Sequence, residues 1–286
     1  MLILESPWTR QPQVAVGVNW SNPLARGLVF SMLPPQGDAV AGGMPQYVGT
    51  AVRTPRQRGL AFVADDTTND AVAINGGPGL YGITSAFTLS IWIEPLTVVD
   101  YTNYFSVPYR ASGWSAPYNS LTVFRDAATS KITSLTWAYS ATQNSQFNAT
   151  SEIITYGAGS YANYLWTRNS AAECVLYKNG VAVYSGSATV NAAIDWNEKR
   201  PVTMLNHSSS SPGEGWTGLY DGCDIWNRAL SAPEVSAYYR NRFQLFAPQQ
   251  IIIPTPAAAT VPTLSASTYV PGSMTSTGWR PQITAS

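Results

Sequence analysis

The sequence is poor in charge and in long apolar runs, and each shortage excludes a class of function. Charged residues make up 11% of the 286 residues, and 16 basic side chains balance 16 acidic ones. Without net charge there is no basic field to attract nucleic acid or an anionic membrane, so we expect neither partner. No apolar run reaches the roughly 18 residues of a transmembrane helix. The opening MLILESPWTRQPQ lacks the pattern of a signal peptide, so we also expect no export.

Histidine chemistry is limited to one residue, His207, in the segment NHSSSSPGEGW. One imidazole cannot form a histidine metal cluster, and a Ser-His-Asp triad would have to be built around it. No G-x-S-x-G elbow and no phosphate-binding or dinucleotide-binding glycine motif is present. We therefore interpret His207 as a loop residue and expect no nucleotide chemistry.

Glycoside hydrolysis needs two carboxylates that flank one glycosidic bond. Asp221 and Asp224 are three residues apart and should lie on opposite faces of an extended strand unless a bulge intervenes. Glu152 and Glu173 stand alone, as is typical of solvated carboxylates. The sequence therefore predicts a protein that is not an enzyme.

A strand with two distinct faces is predicted over residues 219–227, because apolar and polar residues alternate there. One face carries Leu219, Cys223 and Ile225, and the other carries Tyr220, Asp224 and Trp226. A second strand, FTLSIWIEP at 87–95, places Trp92 on its less apolar face, so we expect Trp92 to pack under a second layer.

A short helix should follow the first of these strands. Ser231 and Glu234 form an S-x-x-E capping box, and Pro233 lies in the first turn, where proline is tolerated. Four-residue spacing predicts one buried stripe, which consists of Val235, Tyr239 and Phe243. Earlier in the chain, Asn179-Gly180 between two apolar runs predicts a hairpin with a two-residue type I′ turn.

The chain divides into three parts by composition. Residues 1–26 contain three prolines and no helical spacing, which predicts an extended arm. Strand candidates then recur through residues 27–247, in a number that fits two packed sheets. Residues 248–286 form a Pro/Ala/Thr-rich tail.

Several of these segments resemble the laminin-G-like, concanavalin A-like jelly-roll superfamily. Its closing strand and helix carry the pattern G-x-x-D-x-x-x-[IV]-[YW]-N-R-A-L-S-x-x-E. The matching residues are Gly218, Asp221, Ile225, Trp226, Asn227, Arg228, Ala229, Leu230, Ser231 and Glu234. FTLSIWIEP, LYKNG at 176–180 and, more loosely, residues 59–74 also match. The resemblance implies an all-β fold: a two-sheet antiparallel jelly-roll sandwich with one short C-terminal helix and extended terminal arms.

The two cysteines, Cys174 and Cys223, fall where the family pattern has apolar core residues. We therefore interpret both as small buried apolar side chains. A disulfide between them is the alternative.

Glycan binding is a secondary hypothesis, since members of this superfamily include lectins. Aromatic faces that stack on sugar rings are expected in the segments 101–118 and 206–216. The candidates are Tyr104, Tyr109, Trp114, Tyr118 and Trp216. The same residue types anchor protein interfaces and fill sandwich cores, and these alternatives stay open.

No cofactor is required by any motif, and calcium is the one ion that the resemblance suggests. Asp65, Asp66 and Asp70 offer hard oxygen ligands at close spacing, but DDTTND matches no complete EF-hand loop. An Asx-type turn between two strands is the alternative interpretation.

Two stretches that flank the sandwich, GVNWSNPLARGLVFSMLP and NRFQLFAPQQIIIP, resemble laminin-G-like proteins of tailed bacteriophages, which are commonly virion components. This implies a capsid decoration protein or other head or tail surface subunit, made in the host cytoplasm and docked on partners such as the major capsid protein. We expect a homo-oligomer, for instance a trimer, and a host-surface glycan as a further partner. The predicted assembly anchors are Trp8, Trp20, Tyr269 and Trp279. A free-standing carbohydrate-binding module and a divergent glycoside hydrolase are the alternative functions.

Overall fold

The structure is a computed structural model. It describes residues 12, 16–33, 37–41, 43–48, 51–56, 59–64, 70–97, 102–108, 119–125, 132–137, 145–148, 157–189, 193–196, 198–205 and 216–248. The chain divides into a unit of Met1–Gln249 and a segment of Gln250–Ser286, and the latter lies outside the described residues.

The described residues form strands, one α-helix, α1 (Ala232–Arg240), and three short 3-10 helices at Pro23–Ala25, Leu80–Gly82 and Arg242–Leu245. The strands are β1 (Val16–Val18), β2 (Leu28–Leu33), β3 (Gly37–Asp38), β4 (Gln46–Val48), β5 (Val52–Arg56), β6 (Gly59–Ala64), β7 (Ala71–Ile74), β8 (Phe87–Pro95), β9 (Asn103–Pro108), β10 (Asn119–Arg125), β11 (Ile132–Trp137), β12 (Ser145–Asn148), β13 (Ala162–Arg168), β14 (Glu173–Lys178), β15 (Val181–Ser187), β16 (Val202–Met204), β17 (Gly218–Trp226) and β18 (Phe246–Pro248).

Two antiparallel sheets form the sandwich. One has seven strands in the order β12-β11-β10-β9-β16-β7-β4. The other has nine strands: seven follow the order β15-β14-β13-β8-β17-β2-β3, and β6 and β5 join beside β17. Apolar side chains of both sheets, such as Phe30, Ile91 and Phe105, are fully buried in one shared core. The predicted all-β jelly-roll sandwich with one short helix is confirmed.

A second apolar cluster lies on the outer face of the nine-stranded sheet, under α1. Trp92 and Trp226 from the sheet pack there with Val235 and Tyr238 of the helix. The expectation that Trp92 packs under a second layer is confirmed. The buried helix residues are Val235 and Tyr238, whereas Tyr239 is only half-buried, so the predicted stripe is shifted by one residue at its centre.

The predicted hairpin turn and the predicted state of the cysteines are both confirmed. Asn179 and Gly180 have φ of 53° and 78°, as a type I′ turn requires, and they connect β14 to β15. Cys174 and Cys223 are free and buried in the core. Burial raises the pKa of the Cys174 thiol to about 12, so it stays protonated and unreactive at neutral pH.

The segment before residue 27 is part of the sandwich unit from Val16 onward. β1 pairs antiparallel with β18, so that Val16 lies opposite Pro248. Leu24 and Ala25 are buried in the outer cluster. Residues 16–26, the second part of the predicted extended arm, therefore contact the domain itself through their backbone and side chains. The boundary of the arm at residue 26 stays a prediction.

One central strand was not expected from the sequence. β13 lies between β14 and β8, and all seven of its residues are buried. A strand that is covered on both faces has no apolar and polar alternation to reveal it. None of the helices in the described part of the chain has the length and apolarity to cross a membrane.

The capping box at the start of α1 is present, and it predicts a pH-dependent contribution to stability. Glu234 Oε2 accepts from the Ser231 backbone N–H at 2.8 Å, and its other oxygen contacts Arg228 at 2.8 Å. Burial alone would raise the pKa of Glu234, but hydrogen bonds from Arg228 and Ser231 outweigh it and lower the pKa to about 2 from the ordinary 4.5.

A carboxyl with a lowered folded-state pKa stabilises the fold above its unfolded pKa and loses this effect as the pH falls through its folded pKa. We therefore expect the difference in unfolding free energy between wild type and Glu234→Gln to be full at pH 7 and to shrink between about pH 4.5 and pH 2. Urea denaturation of both proteins at pH 7, 4 and 2 measures it. A difference that stays constant over this range would contradict the role of Glu234.

Candidate functional site

A β-bulge in β17 organises the outer face of the nine-stranded sheet. Tyr220 pairs with Ile93 of β8 and Gly222 pairs with Trp92, so Asp221 is an extra residue in the ladder. The bulge reverses the predicted face of Tyr220, which lies in the core with Cys223 and Ile225. It also brings Asp221 and Asp224 to the same side of the sheet, beside α1 and the segment after it. The bulge that is the exception to the predicted alternation is therefore present, and the two side chains do not lie on opposite faces.

Asp224 is the centre of a buried polar network. Its Oδ1 accepts from the Ser31 hydroxyl at 2.5 Å, and its Oδ2 accepts from Tyr238 and, at 2.7 Å, from Arg242 Nε. The carboxylate is fully buried. Burial raises the pKa of Tyr238 well above its ordinary value, so this hydroxyl stays protonated as a donor. With both oxygens engaged inside the protein, Asp224 is a structural group and does not face a ligand.

Arg242 connects this network to the backbones of β17 and β2. Its Nη1 donates to the Asp221 carbonyl oxygen at 2.9 Å and its Nη2 to the Met32 carbonyl oxygen at 2.8 Å. Burial alone would lower the pKa of Arg242, but the Asp224 carboxylate outweighs it and raises the pKa. Each nitrogen of this guanidinium therefore donates to a protein oxygen, and the arginine keeps its charge.

Three aromatic rings lie side by side next to this network. Trp92 stacks with Tyr239 at 5.9 Å between ring centroids, with planes 6° apart, and with Tyr161 at 6.0 Å and 30°. The Trp92 indole N–H donates to the Tyr238 hydroxyl at 2.8 Å. Trp92 is buried, while Tyr161 and Tyr239 are half-buried, so the two tyrosines bring aromatic surface to the solvent.

These rings form one wall of a groove of about 90 Å³ beside the C-terminal end of α1. The Tyr161 hydroxyl donates to Asp221 Oδ2 at 2.5 Å and so fixes the carboxylate in the groove. Exposed Arg240 and half-buried Asn241 supply further polar groups. The residues that line this groove, hereafter the helix groove, are Trp92, Tyr161, Asp221, Tyr239, Arg240, Asn241, Arg242 and Phe243.

The arrangement suits binding better than catalysis. Aromatic surface beside a carboxylate, an amide and a guanidinium offers stacking and hydrogen bonds to a ligand that is rich in hydroxyl groups. Asp221 is the single carboxylate among the described residues that line the helix groove. The carboxylate pair of a glycoside hydrolase is therefore not formed by them.

Two of the five predicted glycan contacts are wrong. Tyr104 and Trp216 are fully buried, and their rings contact each other at 5.3 Å between centroids in the core. They fill the space between the sheets, so neither face is open to a sugar. Tyr109, Trp114 and Tyr118 lie outside the described residues, and their role stays a prediction.

The other predicted sites are only partly described. Asp70 is fully buried directly before β7, whereas Asp65 and Asp66 lie outside the described residues, so the calcium site stays a prediction. In the part of the chain that the structure describes, no three His, Cys, Asp or Glu side chains come together to hold a metal. Of the assembly anchors, Trp20 is 62% exposed. Trp8, Tyr269 and Trp279 lie outside the described residues.

The helix groove was not predicted as a site, although one signal pointed to it. Glycine inside a strand often marks a bulge, and Gly222 follows Asp221 in the middle of β17. Tyr161, Asp221 and Tyr239 come from three separate regions of the sequence, and only the fold brings them together.

The two antiparallel sheets define a jelly-roll sandwich of the concanavalin A-like type. The chain belongs to the concanavalin A-like lectin/glucanases superfamily, because the model of a family with that description matches residues 66–236, more than half of the chain. The predicted family is thereby confirmed. A search among curated proteins found no match.

Solved structures with a similar fold include bacterial binding domains. The binding domain of Paraclostridial Mosquitocidal Protein 1 has a TM-score of 0.54 and 16% identity over 76% of this chain and 52% of that chain. The binding domain of Botulinum Neurotoxin DC, in complex with SialylT, has a TM-score of 0.52 and 14% identity over 76% of this chain and 52% of that chain. Our chain thus spans about half the length of these two toxin domains.

A third similar structure is domain 4 of AbnA, a GH43 extracellular arabinanase from Geobacillus stearothermophilus, in complex with arabinotriose. Its TM-score is 0.50 and its identity 14%, over 73% of this chain and 97% of that chain. At this level of identity the three similarities establish the fold.

Proposed function

We propose that the chain is a non-enzymatic, glycan-binding surface subunit of a bacteriophage virion. The observation that carries glycan binding is the helix groove, in which Tyr161 and Tyr239 present aromatic surface beside the Asp221 carboxylate. Stacking on aromatic rings together with charge-assisted hydrogen bonds to hydroxyl groups is a sufficient basis for sugar recognition. The similar fold of AbnA domain 4, whose structure contains arabinotriose, supports the same function.

A non-enzymatic role is supported by the positions of the carboxylates. Asp224 is buried with both oxygens bonded, and Asp221 is the one carboxylate among the described residues of the groove. Hydrolysis with retention or inversion needs a second carboxyl across the scissile bond. Measurable hydrolysis of β-glucans by the purified protein would contradict this part of the proposal.

Glycan binding should depend on the aromatic ring of Tyr239 and on the exposed side chain of Arg240. We expect Tyr239→Ala to weaken binding about tenfold, since it removes the stacking surface, and Arg240→Ala to weaken it a few-fold. Glycan-array signals and calorimetric titration of the array hits measure both effects. Met44→Ala changes an exposed apolar side chain outside the groove and serves as the control.

Unchanged binding in both groove variants would show that the glycan binds elsewhere on the protein. A wild-type protein without any array signal would end the glycan hypothesis. The virion hypothesis does not depend on either result.

The virion role is supported by the place where the two terminal extensions begin. Their flanking segments, which carry the resemblance to phage proteins, are joined: Asn19 N donates to the Leu245 carbonyl oxygen at 2.7 Å, and Asn22 Nδ2 donates to the Gln244 carbonyl oxygen at 3.1 Å. Since Val16 pairs with Pro248, both extensions start at one end of the β1–β18 ribbon. Attachment through the extensions would hold the sandwich from this end.

Trp20 lies in the same region and is suited to an attachment surface. Its backbone N–H donates to the Val18 carbonyl oxygen at 3.1 Å, while its side chain is 62% exposed. A large exposed ring on a hydrogen-bonded turn offers apolar and aromatic contact area to a partner. We include Trp20 with the extensions in the proposed contacts to neighbouring copies or to the capsid protein.

The assembly role predicts a change of mass in solution. We expect light scattering to give a defined homo-oligomer for the full chain and a monomer after removal of residues 1–15 and 249–286. These cuts keep the β1–β18 pair, which a deletion through residue 20 would destroy. Trp20→Ala should also shift the mass toward monomer, and Val181→Ala, at an equally exposed position on β15, should not. A full chain that is monomeric at all concentrations would favour a free-standing carbohydrate-binding module.

A further inference from the structure

The helix groove presents its charges asymmetrically. Three charged side chains line it: Asp221, Arg240 and Arg242. Arg242 is 5% exposed and its nitrogens donate to Asp224, to the Asp221 carbonyl oxygen and to the Met32 carbonyl oxygen. All of its nitrogens therefore have protein acceptors, and a ligand in the groove would have to displace one of these partners to bind the guanidinium.

The two remaining charges lie at different depths. Asp221 is 8% exposed, and the Tyr161 hydroxyl holds its Oδ2 at 2.5 Å. Arg240 is exposed to solvent. Water and salt screen the exposed guanidinium, whereas a carboxylate with little solvent around it acts strongly on its neighbours. A ligand that enters the groove thus meets a negative, hydrogen-bond-accepting group at depth.

Such a group discriminates between sugars by charge. A carboxylate is an acceptor only, so it binds hydroxyl donors with charge-assisted hydrogen bonds. It repels the carboxylate of an acidic sugar at the same place, because like charges at short distance are costly when they are partly desolvated. The groove volume of about 90 Å³ is also small. It holds only a few waters, which is the space for one edge of a single sugar ring.

We infer that Asp221 is the specificity-determining residue of the helix groove, which selects a single terminal neutral sugar and rejects acidic sugars. This inference rests on the proposed glycan-binding function. Tyr161 is the positioning residue, since its hydroxyl orients the carboxylate that the sugar hydroxyls meet.

Matched pairs of ligands test the inference on the full chain. Methyl glucoside and methyl glucuronide differ only in a hydroxymethyl group and a carboxylate, as do methyl galactoside and methyl galacturonide. Titrations followed by calorimetry or NMR should show a neutral member that binds at least about tenfold more tightly than its acidic partner. A neutral trisaccharide should bind no more than about threefold more tightly than its terminal sugar alone.

Two variants separate charge from shape. Asp221→Asn keeps the size of the side chain, and it should reduce the preference for the neutral member to less than about threefold. Tyr161→Phe keeps the carboxylate charge, so it should lower the affinity for the neutral sugar while the neutral member stays preferred. Arg240→Ala should leave the preference in place as well. Thermal unfolding of each variant checks that the fold is retained.

The possible results are distinguishable. Equal or tighter binding of the acidic members by wild type, in a groove that Tyr239→Ala still disables, would overturn the inference and leave the proposed function intact. An Asp221→Asn variant with undiminished preference would overturn it too. Absence of binding for every saccharide would overturn both the inference and the glycan-binding function.

Discussion

Replacing Arg242 by methionine should lower the free energy of unfolding by about 3–5 kcal/mol, the cost of leaving a buried carboxylate without its cation. Asp224 is fully buried and contacts Arg242 Nε at 2.7 Å. The same guanidinium also connects the Asp221 and Met32 carbonyl oxygens. Its loss therefore removes three hydrogen bonds as well as the charge that compensates Asp224. Urea denaturation at pH 7 measures the change.

A second arginine offers a matched control. Arg228 contacts Glu234 at 2.8 Å, but the two side chains are 26% and 31% exposed. An ion pair in contact with solvent contributes about 0–1 kcal/mol, so Arg228→Met should cost far less than Arg242→Met. The double variant Arg242→Met with Asp224→Leu should be less destabilised than Arg242→Met alone, since it also removes the uncompensated charge. Equal losses for the two single arginine variants would contradict the account.

Replacing Gly222 by alanine should cost about 3 kcal/mol or more, from two separate causes. Its φ of 136° is a conformation that side chains with a Cβ rarely adopt, which costs about 1–3 kcal/mol. An added Cβ would also lie 2.5 Å from both Nη atoms of Arg242 and 2.5 Å from the Met32 carbonyl oxygen. The substitution thus strains the backbone of the bulge and displaces the guanidinium of Arg242.

Gly17→Ala is the control, because no atom lies within 4 Å of its added Cβ and it should change stability by less than about 0.5 kcal/mol. A double-mutant cycle identifies the origin of the Gly222 effect. In the Arg242→Met background Gly222→Ala should cost at least about 1 kcal/mol less than in wild type. An identical cost in both backgrounds would show that backbone strain and the Met32 contact account for the whole effect.

The parts of the fold that local chemistry determines were predictable from the sequence. The Asn179-Gly180 turn needs only two residues that accept positive φ, and the helix start needs only Ser231 and Glu234 in capping positions. Trp92 was placed correctly under a second layer, because alternation along one strand assigns its face. Each of these features depends on neighbours in sequence.

The groove was not predictable in the same way, because its parts depend on contacts between distant segments. One extra residue, Asp221, changes which side chains of β17 share a face. The alternation of apolar and polar residues along the sequence does not reveal this bulge. Tyr104 and Trp216 are residue types that occur both in glycan sites and in sandwich cores, and both are buried in the core here. The residue type alone does not distinguish the two locations. The glycan contacts predicted from aromatic-rich segments therefore do not include the residues of the groove beside α1.

The central claim is that the helix groove binds a sugar, and an NMR titration tests it most directly. A neutral hexoside is added to ¹⁵N-labelled full-length protein, and the backbone amides and the Trp92 indole N–H are followed. The account predicts saturable shifts that are concentrated at Tyr161, Asp221 and residues 239–243, together with the Trp92 indole, whose ring lies in the groove wall. Saturable shifts that leave these resonances in place and map to another surface would contradict it.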